Sequence, residues 1–130
     1  MATSPVNQPD NRVPRFGFPK RCRLCKSNEF QRVYRDGVHA ADHMLVVQGC
    51  RNGSTESRLG LAVSRRVGNA VVRNRWKRLI REAFRLQRSR LPRGLDLVVR
   101  PRRGAEPSFQ AIQRSLVRLA RRVQKRLEDH

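Results

Sequence analysis

Residues 58–85 read RLGLAVSRRVGNAVVRNRWKRLIREAFR, and this stretch decides the fold. Its first part, Arg58 to Val63, has the apolar and β-branched composition of a strand. The polar segment that follows contains Gly68 and predicts a turn, after which a helix is expected from about Ala70 to Gln87. The apolar residues of this helix share one side and should face the core. They are Val72, Trp76, Leu79, Ile80, Ala83, Phe84 and Leu86.

Shorter elements flank this unit on both sides. The helical spacing of Phe30, Val33 and Tyr34 predicts a helix upstream, and β-branched runs predict two more strands. The resulting order α-β-β-α-β-α indicates an α+β fold, an α/β sandwich in which helices pack against a small sheet and one sheet face is left open. The flanking elements are a two-turn helix that is capped by Ser27 or Asn28 and ends at Gly37, strands from Met44 to Gln48 and from Asp96 to Arg100, and a last helix from Pro107 to Leu127 with Pro107 in its first turn.

The first 20 residues differ from the rest of the chain. They contain four prolines and no hydrophobic period, so a flexible, extended N-terminal tail is expected over residues 1–20. Residues 21–130 should then form one domain, because a chain of 130 residues supports a single modest core. The sequence has no apolar run of membrane-spanning length and no signal peptide, which favours the cytoplasm.

The charge of the chain narrows the class of partner. It carries 30 Lys and Arg residues against 10 Asp and Glu, a formal net charge of +20. Such self-repulsion opposes folding, so a protein with this balance usually binds a polyanion. Nucleic acid is the first candidate because most of the cations are Arg, whose planar group grips phosphate with two hydrogen bonds and stacks on bases. An anionic membrane surface and an acidic protein are the alternatives.

The central helix concentrates this charge on one side. At about 100° per residue, six cations fall within an arc of about 140°, with Asn74 near its middle. Four of them form a ladder of like charges at i,i+4 spacing, and each step of the ladder costs a few tenths of a kcal/mol. An ordinary solvated helix face would interleave the two signs, so the pattern indicates a polyanion-binding face. The six cations are Arg73, Lys77, Arg78, Arg81, Arg85 and Arg88.

Asn74 and the preceding turn add polar groups to this face. The Asn74 amide has two equally weighted interpretations: it hydrogen-bonds a base edge, a ribose or a water on a bound Mg²⁺, or it is simply an exposed polar residue. Arg65 and Arg66 lie in the turn before the helix. Gly68 and Asn69 precede free backbone N–H groups at the helix N-terminus, where phosphate binds well.

The three cysteines do not make a convincing site. Cys22 and Cys25 have the Cys-x-x-Cys spacing of half a zinc site, and Cys50 together with His39 or His43 would have to complete it. Because a second Cys-x-x-Cys is missing, no metal site is expected in the protein. The sequence also shows no spacing of Ser, His and Asp that suggests a protein catalytic site, so no catalytic residue is expected.

Residues 64–84, SRRVGNAVVRNRWKRLIREAF, resemble the signature of the bacterial ribonuclease P protein component. That family has a Gly-Asn-Ala-Val segment, followed on one helix by Arg-Asn-Arg, Lys-Arg and a further Arg. The resemblance covers about residues 21–127, including NEFQRVY at residues 28–34 and LGLAVS at residues 59–64. It implies a fold like the second domain of ribosomal protein S5, with a left-handed β-α-β crossover that departs from the general right-handed preference.

The resemblance also implies two binding sites. The basic helix would contact the catalytic RNA, and a cleft between the first helix and the open sheet face would hold the 5′ leader of precursor tRNA. Phe30 and Tyr34 match the aromatic residues of that cleft. Their spacing alone is more typical of a core face, whereas in a cleft their rings would stack on single-stranded bases. The candidate RNA-contacting residues are Arg65, Arg66, Arg73, Asn74, Arg75, Lys77, Arg78 and Arg81.

A member of this family would be the protein subunit of ribonuclease P, a ribonucleoprotein endoribonuclease that removes the leader to give the mature tRNA 5′ end. Catalysis would belong to the RNA, and Mg²⁺ would be bound mainly by the RNA component. The implied partners are the catalytic RNA and precursor tRNA, with no membrane and no obligate protein partner. A small ribosomal protein or RNA chaperone is the main alternative, although neither has a reason to carry the Arg73-to-Arg81 pattern. A membrane-surface protein is a second alternative, against which the predicted strands argue.

Overall fold

The computed structural model describes residues 20–129. Helices and strands follow one another along this part of the chain in the order α-β-β-β-α-β-α, with short 3₁₀ turns between some of them. The predicted tail over residues 1–20 lies, except for Lys20, outside the described residues. The elements are α1 (Ser27–Asp36), β1 (Val38–Ala41), β2 (Leu45–Arg51), β3 (Arg58–Leu61), α2 (Ala70–Leu86), β4 (Leu95–Pro101) and α3 (Phe109–Glu128).

The four strands form one sheet in the order β1-β2-β4-β3. β2 pairs antiparallel with β1 and with β4, whereas β3 pairs parallel with β4. β3, α2 and β4 therefore form the β-α-β unit expected from residues 58–85, although β3 ends at Leu61, before the predicted Val63. The α+β fold class is confirmed, and the left-handed sense of the crossover stays a prediction.

β1 is a strand that the sequence does not predict, and the predicted order α-β-β-α-β-α is wrong at this point. The strand is four residues long and contains His39 and two alanines, which favour strands only weakly. Its stability comes from pairing with β2, where Val38 lies opposite Gly49 and Ala41 opposite Val46. Because this pairing is a tertiary contact, the local sequence carries no signal for it.

The start of α1 also differs from the prediction. The helix begins at Ser27, so Lys26 occupies the N-cap position in place of Ser27 or Asn28. Glu29, the third residue of the helix, reaches back and accepts a hydrogen bond from the backbone N–H of Lys26 at 3.0 Å, which is the half of a capping box that does not depend on a Ser or Asn cap. Gly37 follows the last residue of the helix, as predicted.

The start of α3 shows a similar displacement. The helix begins at Phe109 with Ser108 as its N-cap, and the Ser108 hydroxyl accepts a hydrogen bond from the N–H of Ala111 at 3.4 Å. Pro107 therefore lies before the helix and not in its first turn. The helix begins after Ser108 because the Ser108 side chain, unlike that of Pro107, accepts a hydrogen bond from a free N–H group of the first turn.

The main core lies between the sheet and the two longer helices. Trp76, Ile80 and Phe84 of α2 are buried, as the apolar face of the helix predicts. The same apolar face predicts that Leu86 is buried, yet 48% of its surface is exposed. It is the last residue of α2, where the helix runs past the edge of the core. None of the helices within residues 20–129 combines the length and apolar character needed to cross a membrane.

A second, smaller cluster lies on the other face of the sheet, under α1. Its buried residues are Leu24, Val33, Cys50 and Val98, and the partly buried Phe30 and Ala62 pack against them. The ten-residue helix α1 covers only part of this face. A space is therefore left beside it, toward β3 and α2.

Candidate nucleic-acid interface

The first turn of α2 is fixed by a side-chain cap. Asn69 Oδ1 accepts a hydrogen bond from the N–H of Val72 at 3.0 Å. Gly68 lies so close to Val72 that a Cβ atom on it would be 3.0 Å from the Val72 Cβ. The cap occupies one of the N–H groups at the helix N-terminus that the sequence offers to a phosphate.

The candidate RNA-contacting residues all lie on α2 or in the 3₁₀ turn Arg65–Val67 before it, and most are exposed. Arg73 and Lys77 are partly buried, and Arg73 Nη1 donates to the carbonyl oxygen of Gly68 at 2.9 Å. The five exposed arginines among the candidates keep their charge available to an external anion. Within residues 20–129, the candidates without any hydrogen bond or ion pair from their side chains are Arg65, Arg66, Asn74, Arg75, Lys77, Arg78 and Arg81.

The ladder of like charges is shorter than the sequence predicts. Arg85 Nε donates to Glu82 Oε1 at 3.0 Å, so the last cation of the ladder is paired within the helix. The same hydrogen bond holds the pKa of the Glu82 carboxyl below its usual value. Arg73, Lys77 and Arg81 remain as the unneutralised part of the ladder.

A groove runs between α1 and α2 along β3. Its two parts have volumes of about 230 Å³ and 410 Å³, and both are lined by Leu61 and Lys77. Lys77 therefore links the basic face of α2 to the aromatic residues of α1. The remaining lining residues are Arg23, Leu24, Cys25, Phe30, Leu59 and Arg81 in the first part, and Tyr34, Ala62, Val63, Ser64, Val67, Arg100 and Pro101 in the second.

Phe30 and Tyr34 lie together in this groove but are not equivalent. Their ring centroids are 6.5 Å apart and their planes are inclined by 55°. Phe30 is partly buried and packs over Gly60, where an added Cβ would come within 2.8 Å of the Phe30 Cζ. Tyr34 is 45% exposed. The core placement that spacing alone favours is therefore wrong for Tyr34, while Phe30 both packs against the sheet and forms a wall of the groove.

The groove also contains a cation that the sequence analysis missed, Arg100 of β4. Its side chain is exposed, and its Nη1 donates to Gln48 Oε1 at 2.9 Å. Strand alternation carries a signal for it, because Arg100 lies two residues beyond Val98 on the same side of β4. Since Val98 packs in the cluster under α1, Arg100 must project from that same face.

α1 is held over the sheet by Asp96, whose carboxylate is completely buried. Arg58 of β3 donates two hydrogen bonds to it, at 2.8 Å and 2.7 Å, and Arg32 of α1 donates another. Asn52 Nδ2 completes the set at 3.0 Å, and Arg58 also binds Glu29 of α1 at 2.9 Å. These contacts fix α1 relative to β3 and therefore the width of the groove.

The Asp96 cluster is ionised and structural. Burial raises the pKa of the Asp96 carboxyl, but the hydrogen bonds from Arg58 and Asn52 and the charges of Arg58 and Arg32 outweigh it and hold the pKa below its usual value. The hydrogen bond to Asp96 likewise raises the pKa of Arg58, against the effect of burial. Arg32 and Arg58 therefore hold the fold together, and their charge is not available to an external anion.

The described side chains do not fit a metal site held by the protein. Residues 20–129 contain no group of three or more His, Cys, Asp or Glu side chains that would hold a metal ion. Cys22 and Cys50 are buried and Cys25 is exposed, so the half zinc site remains incomplete there. On α2, the only carboxylate is Glu82, which is paired with Arg85. Asn74 therefore lacks the oxygen ligands beside it that Mg²⁺ would need.

Known proteins share both the sequence and the fold of this chain. The family model for Ribonuclease P matches residues 18–124. The ribonuclease P protein component of Brevibacillus brevis is 44% identical over 103 residues, which cover 78% of this chain and 82% of that protein. The solved RNase P protein of Staphylococcus aureus has a TM-score of 0.67 at 38% identity, covering 80% of this chain and 93% of that one. The protein from Thermotoga maritima has a TM-score of 0.72 at 33% identity, covering 78% and 96%.

The matched region includes every element that builds the groove and the basic face. Residues 18–124 begin before α1 and end within α3, so the family resemblance is not confined to the Arg-Asn-Arg helix. The similarity in sequence and the similarity in fold point to the same family. The chain therefore belongs to the ribonuclease P protein family, the protein component of the bacterial ribonucleoprotein endoribonuclease that processes the 5′ leader of tRNA.

Proposed function

We propose that this protein binds the RNA component of ribonuclease P through α2 and the turn before it, and holds the 5′ leader of precursor tRNA in the groove between α1 and α2. The observation that carries this proposal is the position of Lys77. It belongs to the basic face of α2 and also lines both parts of the groove that contains Phe30 and Tyr34. Leader and RNA component would thus lie against two sides of the same helix.

The groove has the chemistry of a single-strand site. The exposed ring of Tyr34 offers a stacking surface, and stacking on an aromatic side chain contributes about 1–3 kcal/mol per base. Lys77, Arg81 and Arg100 lie on the walls, where they would contact the phosphates of the strand. Because every base has a π face, such a groove binds leaders of different sequence.

The outward side of α2 suits the RNA component. Arg75 and Arg78 are exposed and have no ion pair in the described part of the chain, and the exposed Asn74 lies next to Arg78, about 40° away around the helix. Guanidinium groups bind phosphates with two parallel hydrogen bonds, and the amide adds a donor and an acceptor for ribose or base. Each phosphate contact also releases counterions, so binding should weaken steeply with salt.

Mg²⁺ would be held mainly by RNA phosphates, since the side chains of residues 20–129 do not form a ligand set for it. The contribution of the protein is to neutralise phosphate repulsion in the RNA and to position the leader. Both effects should allow the active RNA shape to form at a lower Mg²⁺ concentration. We propose that the protein assists leader removal in the cytoplasm, where precursor tRNA is made and processed.

Reconstitution tests the proposal as a whole. The full chain, mixed with a bacterial ribonuclease P RNA and precursor tRNA, should accelerate leader removal at low Mg²⁺ relative to the RNA alone. Arg78→Ala should lower the salt slope of RNA binding by about one unit, because one phosphate contact is lost. Arg103→Ala, an exposed cation away from α2, serves as the control and should leave the slope nearly unchanged. Failure to accelerate cleavage at any Mg²⁺ concentration would refute the proposed function.

Cys25 provides a probe of the groove. It is the exposed cysteine and lines the groove, whereas Cys22 and Cys50 are buried. In the reconstituted ribonucleoprotein, bound precursor tRNA with its leader should slow alkylation of Cys25, while mature tRNA should not. A Cys25→Ser chain should take up almost no reagent, which checks the assignment of the label. In a Tyr34→Ala chain the protection should be lost, and equal labelling with both tRNAs in the unmodified chain would place the leader elsewhere.

A further inference from the structure

α3 carries a second concentration of positive charge. Its 20 residues include six Lys and Arg side chains and a single carboxylate, Glu128. Arg114, Arg118, Arg122 and Arg126 follow one another at i,i+4 spacing, and each like-charged step costs a few tenths of a kcal/mol. Helix-dipole stabilisation favours cations only in the last turn, so it does not account for Arg114 in the first half of the helix.

Part of this charge stabilises the fold. Arg118 forms an ion pair with Asp42. Arg121 and Arg126 donate hydrogen bonds to backbone carbonyl groups of other elements. The remaining three cations are exposed and make no hydrogen bond or ion pair anywhere in residues 20–129, so the fold does not explain them. They are Arg114, Arg122 and Lys125.

One of these cations, Arg114, lines a groove that has both polar and apolar walls. Arg114, Arg121 and Lys125 fall within about 40° of one another around the helix and form an outward stripe. Beside this stripe, a groove of about 550 Å³ lies between α3 and the end of α2. Three amides face this groove together with Arg90 and the apolar Val117. The amides belong to Gln87, Gln110 and Gln113.

The lining distinguishes between possible polyanions. Amides offer both donors and acceptors, which suit ribose 2′-hydroxyls and base edges, and Arg suits phosphates. The carboxylates of an acidic protein accept hydrogen bonds only, so they would use the donors of these amides and leave the acceptors without partners. RNA is therefore the anion that fits both the charge and the amides.

The stripe is separated from the leader groove by the body of the domain. α3 packs on the sheet face opposite to α1, since its buried residues belong to the main core and those of α1 to the smaller cluster. A helix with its side chains is about 10 Å across, so α3 itself stands between its outward stripe and the sheet. A single-stranded RNA segment that occupies the groove beside α1 therefore does not also reach this stripe.

We propose that the α3 stripe and its groove form a second RNA-binding surface, which takes a separate folded segment of the ribonuclease P RNA. The protein would then be held between two segments of RNA, one against α2 and one against α3. This proposal rests on the proposed function only in taking the RNA component as the partner. It assigns a binding role to Arg114 and Lys125, which lie outside the basic helix and the leader groove.

The test is a pair of charge-matched variants of the full chain. Arg114→Gln combined with Lys125→Gln removes two cations from the stripe, and Arg93→Gln combined with Arg103→Gln removes two exposed cations elsewhere. Binding of each protein to a full-length bacterial ribonuclease P RNA is measured over a series of NaCl concentrations. Loss of two phosphate contacts should lower the salt slope by nearly two units and weaken binding at least about tenfold for the stripe variant. The control variant, with Arg93→Gln and Arg103→Gln, should change the salt slope by less than half the change seen for the stripe variant.

Three results would overturn the proposal. Equal effects of the two variants would mean that only net charge matters, and unchanged RNA binding by the stripe variant would leave the stripe to solvent or to an acidic protein. Weaker binding of the stripe variant to a short single-stranded leader oligonucleotide, to the same degree as to the full RNA, would place the effect in the leader groove. Circular dichroism and thermal unfolding check that the variants are folded. If the double stripe variant is not folded, the single variant Arg114→Gln is tested in its place. If the unmodified chain fails to bind the full RNA, the proposed function itself is wrong.

Discussion

Asp96 brings together side chains from three separate parts of the chain: Arg32 of α1, Asn52 after β2 and Arg58 of β3. A carboxylate without solvent exposure is costly unless it is fully paired, and here charged and neutral donors together satisfy both of its oxygens. The sequence does not reveal that Asp96 is buried and paired, because Asp96 occurs near the start of a strand, where a polar residue is common. Its role depends on residues that are 38 and 64 positions away.

We expect Asp96→Asn to lower the free energy of unfolding by about 3 kcal/mol, since it leaves Arg58 and Arg32 without their shared counter-charge in a partly buried site. Urea unfolding followed by circular dichroism measures the loss. Asp36→Asn is the control, because Asp36 pairs with Arg35 on the surface, where an ion pair is worth less than about 1 kcal/mol. Similar small losses in both variants would show that the buried cluster does not hold α1 in place.

At the scale of elements, Asp42 joins the β1–β2 hairpin to α3. Its Oδ1 accepts hydrogen bonds from the N–H groups of Met44 and Leu45 at 2.8 Å and 2.9 Å, and its other oxygen pairs with Arg118. Burial raises the pKa of the carboxyl, but these hydrogen bonds and one from Ser115 lower it to about 2. The folded pKa thus lies below the unfolded value of about 3.9.

This pKa predicts acid sensitivity of the hairpin. A carboxyl with a lowered folded pKa stabilises the fold above its unfolded pKa, and the stabilisation is lost as the pH falls from about 4 through about 2. The loss should amount to about 2 kcal/mol. We expect Asp42→Asn to be less stable than the unmodified chain at pH 5 and to lose less between pH 5 and pH 2, as measured by urea unfolding. Glu106→Gln, at an exposed residue, should keep the full acid dependence, and identical pH profiles for Asp42→Asn and the unmodified chain would contradict the prediction.

The accuracy of the sequence predictions follows from where each element gets its stability. α2 is predicted to within one residue because 17 residues of helical periodicity and the Asn69 cap act locally. β1 is missed because four weak strand formers depend on β2. Likewise, the cations of α2 can be chosen from the helical pattern, whereas the groove is expected only from the family resemblance. It exists because β3 lies parallel to β4 at the edge of the sheet and brings α2 beside α1, which no local pattern specifies.

Over the whole molecule, the net charge of +20 is distributed between surfaces that face different ways. Arg75 and Arg78 lie on the outward side of α2, whereas Arg114 and Lys125 lie on the stripe of α3. The buried cluster around Asp96 uses further cations, but these are neutralised. The exposed cations named on these two surfaces have no ion pair within residues 20–129, and their mutual repulsion opposes the compact state until a polyanion is bound.

This repulsion predicts that salt stabilises the free protein. Raising NaCl from about 10 mM to about 300 mM shortens the Debye length from about 30 Å to below 8 Å, so salt ions screen the repulsion between exposed cations while buried pairs such as Arg58–Asp96 are little affected. The free energy of unfolding should therefore rise by about 1 kcal/mol in urea titrations at the two salt concentrations. Replacing Arg75, Arg78, Arg114 and Lys125 by Gln removes cations from both surfaces and should flatten the dependence. If salt instead lowered the stability, surface ion pairs would outweigh the repulsion, and the excess charge would no longer need RNA binding to explain it.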